Sequence, residues 1–175
     1  MPDEPRALSP AQAAVLLRGA GDAIRAELAA LPEAVLHWHP PPGEWCLLEV
    51  LGHLIEAERR GFADRIRLIL ERDQPHFATW DQAAVARERR DCERDPAALL
   101  GEFSRLREAS VALVAGLREA DLPRGGEHGS VGLLRVGDLL HEWVHHDRNH
   151  LRQMLANVQA AVWPHMGNAQ RFSAA

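Results

Sequence analysis

An all-α four-helix bundle with crossover connections is the architecture this sequence predicts. Three observations predict it. Apolar residues recur with the 3.6-residue helical period in four long stretches. Serine–proline and aspartate–proline pairs mark helix starts, and proline or glycine runs separate the stretches. The connection after the second stretch is long, which suits a bundle whose next helix does not simply turn back on the last.

The first helix starts at Ser9-Pro10, with a hydroxyl as N-cap and proline at the first helical position. Ala13, Leu16, Leu17, Ala20, Ile24 and Leu28 carry its apolar stripe to a stop near Pro32. A connection follows with Pro40-Pro41-Pro42-Gly43, which no helix interior accommodates. His37 and His39 lie beside it, and their alternate spacing is a poor metal template. Trp38 and Trp45 are expected to cover one end of the core.

The second helix is expected over about Leu47 to Arg72, on a stripe from Leu47 and Val50 to Ile69 and Leu70. His53 sits at the edge of that stripe, with Glu49 and Glu56 about a turn to either side. Glu49 also stands three residues after Cys46, where serine or threonine would complete a capping box. Gln74-Pro75-His76 breaks the helix, and Trp80 to Arg90 has the pattern of a short amphipathic one. Asp95-Pro96 starts the third long helix, expected to end near Asp121-Leu122-Pro123.

The loop Arg124 to Ser130 is glycine-rich but lacks the Lys-Ser/Thr ending of a phosphate loop and the strand that precedes a dinucleotide loop. The last helix should span Val136 to Val162 and stop at Trp163-Pro164. The tail from His165 reads as irregular, packed through Phe172.

With 175 residues the chain fits one domain, residues 1–175, and an apolar fraction of 46% argues against disorder. A formal charge of -5 disfavours nucleic acid as a partner. The acidic start Met1-Pro2-Asp3-Glu4-Pro5 lacks a hydrophobic signal core, and no window offers the ~20 apolar residues of a membrane span. Cys46 and Cys92 belong to no CxxC and read as free thiols in a reducing cytosol, so a cytoplasmic location is expected.

The chemistry concentrates in His141 to Gln153, which holds four of the ten histidines on one helix. His146 and His150 are four apart, so their imidazoles stack a turn apart on one face and reach a common ion. They flank the apolar centre marked by Val136, Leu140, Leu151, Met154 and Val158. His141 and His145 share their side with Arg148 and Arg152, a solvated face. Two ligands do not close a site. His53 is the other histidine at the edge of a helical core stripe, and it completes a candidate His53–His146–His150 centre. Three neutral imidazoles leave a divalent ion with open positions, able to bind water or hold a thiolate. Glu49, Glu56 and Asp147 are candidate catalytic residues, for orienting groups or for proton transfer.

Trp45 to Glu58, including Glu-Val-Leu-Gly-His-Leu-Ile-Glu-Ala-Glu, and His146-Asp147-Arg148-Asn149-His150-Leu151-Arg152-Gln153 resemble the two signature segments of the DinB-like family. Phe103 to Arg107 and Gly126 to Gly132 are similar to it as well. The resemblance implies a damage-inducible metal-binding four-helix bundle, a homodimer, with a zinc- or nickel-type ion near one end. His53, His146 and His150 match the family's metal ligands. Relatives include transferases and isomerases that use low-molecular-weight thiols such as bacillithiol or mycothiol, and proteins described as metal-dependent hydrolases. Cys46 stands where serine is common. Three readings follow: a metal-dependent thiol S-transferase or hydrolase acting on a small molecule, a non-catalytic metal-binding stress-response protein, or a bundle with no metal.

Overall fold

The structure is a computed structural model and describes residues 6–40 and 43–173. The acidic start Met1-Pro2-Asp3-Glu4-Pro5 and the Pro41-Pro42 pair lie outside the described residues. Helix α1 spans Pro10–Ala30. Its start is a reciprocal capping box: Gln12 N–H donates to Ser9 Oγ at 3.3 Å, and Ser9 N–H donates to Gln12 Oε1 at 2.9 Å. Helix α2 runs through Leu47–Glu56, a π-helical turn Ala57–Phe62, and Ala63–Glu71. Helix α3 spans Pro96–Ala115 behind an Asp95 cap, whose carboxylate accepts from Ala98 N–H at 2.8 Å. Helix α4 is Val136–Val162.

Helix α1 packs chiefly on α3 and α4, and α2 packs chiefly on the same two. Consecutive helices α1 and α2 therefore stand diagonally, as do α3 and α4, which is the crossover arrangement the long connections require. The apolar interior falls into two clusters. One holds Leu17, Phe62, Val111 and Trp143; the other holds Ile24, Leu51, Phe103 and Met154.

Arg107 lies between them in sequence on α3, and it forms a buried polar layer. It donates from Nε to Glu58 Oε1 at 2.6 Å, from Nη1 to the Leu17 carbonyl at 2.8 Å, and from Nη2 to Asp147 Oδ1 at 3.0 Å. A further bond from Nη1 to Asp147 Oδ2 makes that pair bidentate. Arg107, Glu58 and Asp147 are all buried.

Several expectations need correction. The second helix is not a uniform α-helix, because the π turn widens it where Glu58 is drawn inward to Arg107. The third helix ends at Ala115, and Glu119–Asp121 is a separate 3₁₀ turn. The glycine-rich stretch is not a loop: β2 (Gly125–His128) pairs antiparallel with β3 (Gly132–Arg135) and parallel with β1 (His76–Phe77). Gly126 permits that close pairing, since a Cβ there would meet Phe77 Cζ at 2.5 Å and the Pro75 carbonyl at 2.6 Å. The tail after Trp163 forms short helical turns, and Phe172 is exposed rather than packed.

Cys46 and Cys92 are joined in a disulfide, with Cα atoms 6.4 Å apart, and are not free thiols. The pairing crosses 46 residues and depends on the 3₁₀ turn Asp91–Glu93 lying against α2. That contact is close. A Cβ on Gly52 would stand 1.7 Å from Asp91 Oδ2, so the carboxylate occupies the space that glycine leaves free. Among the described residues no helix is long and apolar enough to cross a membrane.

Candidate metal centre

His53 comes from α2, just before the π turn, and His146 and His150 from one face of α4. Each offers one ring nitrogen, and these atoms all lie within 4.8 Å of one another. The Nε2 atoms of His53 and His146 are 2.9 Å apart. That distance suits either an N–H···N hydrogen bond between two neutral rings or two lone pairs directed at one metal ion. His150 is oriented from behind: its Nδ1 and Gln153 Oε1 are 2.9 Å apart, so Nδ1–H donates outward and Nε2 is left as the free donor. His146 Nδ1 is buried with no protein partner.

Burial sets the charge of this cluster. Desolvation lowers His53 to about 4 and His146 to about 3, and repulsion from His150 adds to both shifts. His150 is also lowered by burial, opposed by its bond to Gln153 and by the Asp147 charge. At neutral pH all three imidazoles are uncharged, the form that coordinates a metal. Three convergent neutral imidazoles are a donor set that zinc or nickel accepts. The residues present fit a divalent ion.

The surroundings are aromatic on one side and open on the other. Trp45 and Trp80 lie 5.5 Å and 6.4 Å from the His53 ring, and Phe62 sits 5.3 Å from His146 and stacks on Trp143 at 5.0 Å. A cleft of about 630 Å³ opens beside His53 and His146, walled by Arg65, Trp80, His128 and Glu142 among others. The Arg65 guanidinium lies 5.5 Å over the Phe77 ring. Its Nε is buried without a protein partner, and it makes no ion pair among the described residues.

The three carboxylates singled out from sequence are engaged elsewhere. Glu49 accepts the Cys46 N–H at 2.8 Å and so closes the start of α2. Glu56 is buried under Arg89 and Arg60, each 2.6 Å away. Asp147 is the bidentate partner of Arg107. His141 and His145 are exposed, as expected.

Sequence reasoning passed over Arg65, Trp80 and Glu142. Arg65 and Glu142 carried no signal, since charged residues at helical spacing read as solvated faces. Trp80 did carry one, as an aromatic beside Phe77 in a polar connection. His128, read as a loop residue that could approach a site mouth, lines the cleft from β2.

A helical bundle that gathers one buried and two half-buried histidines from two of its helices is a frame fit for a metal ion. Residues 16–154 match the DinB superfamily, and the chain belongs to it. Among solved structures it is similar to YfiT from Bacillus subtilis, described as a probable metal-dependent hydrolase with an unusual four-helix bundle topology. That likeness has a TM-score of 0.80 and 19% identity, and it covers 92% of this chain and 94% of that one, which establishes a shared fold. No curated protein matches the sequence.

Proposed function

We propose that this chain is a metal-dependent enzyme for a small-molecule substrate, with His53, His146 and His150 holding a zinc- or nickel-type ion. The observation that carries the reading is the convergence of three uncharged imidazoles, two of which, His53 and His146, line an open cleft. When bound there, the ion supplies Lewis acidity that lowers the pKa of a thiol or a water molecule towards neutrality.

The chain's own residues favour the thiol version, an S-transferase for a low-molecular-weight thiol. Glu49, Glu56 and Asp147 are tied to other partners, so they hold α2 and α4 in place and do not exchange protons with a substrate. A thiol gathered at the histidines needs no strong base. Arg65 offers an uncommitted positive charge on the cleft wall, suited to an anionic end of such a thiol, and Trp80 covers the apolar side.

A second reading, hydrolysis, is favoured by Glu142. It lines the same cleft one turn before His146, where a carboxylate can accept a proton from water. The description of YfiT points the same way.

Untagged protein is expected to carry one divalent ion per chain, which His146→Ala loses. Loaded protein should conjugate a small thiol to an electrophile such as monochlorobimane, and stripped protein should not. Ester or amide hydrolysis without conjugation would establish the second reading. Equal activity of loaded and stripped protein in both assays would end the proposal.

A further inference from the structure

Two turns before His53, at the start of α2, a second set of ligating groups converges. Cys46 is the N-cap of the helix and is fully buried. Glu49 stands in the first turn, with its carboxylate on the Cys46 N–H. Cys92 arrives from the 3₁₀ turn Asp91–Glu93, and His39 from the connection after α1. His39 Nδ1 is 3.6 Å from Glu49 Oε2. One ligand atom from each of the four lies within 4.8 Å of the others.

We propose that these residues form a second metal site, available when the Cys46–Cys92 disulfide is reduced, and that it takes a zinc-type ion. A disulfide needs two sulfurs and nothing else. An imidazole and a carboxylate brought to the same small volume from two further positions complete a four-donor set of two thiolates, one nitrogen and one oxygen. That set suits the tetrahedral, borderline-soft ion zinc. Two thiolates disfavour calcium and magnesium, which prefer oxygen donors. The helix start helps as well, because negative charge at Cys46 and Glu49 meets the positive end of the α2 dipole.

The opening step uses a small thiol as reductant. Two RSH molecules cleave the protein S–S bond, giving two protein thiols and one RS–SR disulfide. Metal binding then displaces the two thiol protons to solvent. In the disulfide form both sulfurs are bonded to each other, and the donor set falls to His39 and Glu49, too few to hold the ion. Oxidation state thus decides whether the site exists. This proposal is independent of the three-histidine reading.

Cobalt(II) titration of the untagged full chain tests it, with one sample reduced by a phosphine without oxygen and another oxidised to the disulfide. Reduced protein is expected to bind two equivalents, one of them with thiolate-to-cobalt charge-transfer absorption. Oxidised protein should bind one equivalent without that band. Cys92→Ser should abolish the band, and His39→Ala, an exposed change that spares the buried cap, should weaken the second equivalent at least tenfold. The histidine centre holds no sulfur, so His146→Ala should remove the other equivalent and leave the band. A reduced wild-type protein without the band overturns the proposal, and so does a band that survives Cys92→Ser.

Discussion

Two polar centres meet inside this bundle at adjacent residues of α4. His146 belongs to one and Asp147 to the other, yet they are built on opposite rules. Around Arg107 the guanidinium nitrogens meet carboxylates and a carbonyl, and the layer joins α1, α2, α3 and α4. At the histidines, two ring nitrogens confront each other at 2.9 Å and His146 Nδ1 has no protein partner. The Arg107 layer pairs its charges, with Glu58 Oε2 its one buried atom lacking a partner among the described residues, and so stiffens a frame, whereas three gathered ligating nitrogens suit a further partner. The difference separates what holds the bundle from what the bundle holds.

The sharpest way to break that comparison is to remove the cation of the frame. Arg107→Ala leaves Glu58 and Asp147 buried with no counter-charge, and the expected loss is about 3–5 kcal/mol of unfolding free energy. Urea denaturation measures it. Replacing all three residues together by apolar side chains of similar volume should cost less than the single change, because no uncompensated charge remains. A loss below about 1 kcal/mol for Arg107→Ala would show that the layer does not act as the frame.

The histidine centre should respond to a different change. Among the described residues Gln153 makes no hydrogen bond to the Arg107 layer, and it holds His150 by its outer nitrogen at 2.9 Å. Gln153→Ala is expected to weaken zinc binding by roughly 10–100-fold, the usual cost of losing a group that orients a ligand. Stability without metal should stay within about 0.5 kcal/mol of wild type. Competition with a chromophoric chelator gives the first quantity and denaturant melts of the stripped protein give the second. Unchanged zinc affinity would mean that the His150 ring is held by packing alone.

How much of this was legible in the sequence follows from what each feature depends on. Ser9-Pro10 and Asp95-Pro96 are local cues, and α1 and α3 begin where they stand. His146 and His150 share a face because four residues make about one turn, and His53 could be added because its helix has a readable apolar edge. The π turn was hidden, since the apolar period continues through Phe62 and Ile66 whether or not one turn is wider. Arg107 was hidden for a related reason: a mid-helix arginine reads as solvated until its partners arrive from 40 and 49 residues away. The Cys46–Cys92 pairing and the small sheet rest on contacts between distant segments, which no local pattern encodes.

A further expected effect, similar in size, separates the two centres by pH. His146 is lowered to about 3 by burial and by its neighbours, against an ordinary value of 6.5. As pH falls below 6.5 the unfolded chain takes up the proton first, so stability from the neutral imidazole is complete above that value and drains away towards pH 3. Glu58 runs in the opposite sense. Burial raises its carboxyl, against the opposing Arg107 charge, so its contribution to stability declines as pH rises through the folded value. A metal-free His146→Gln variant isolates the first effect. Between pH 7 and pH 5 the wild type is expected to lose on the order of 2 kcal/mol more unfolding free energy than the variant. Parallel stability curves for the two proteins would show that His146 is free to take a proton in the fold, and that the histidine centre is open to solvent rather than held neutral by the bundle.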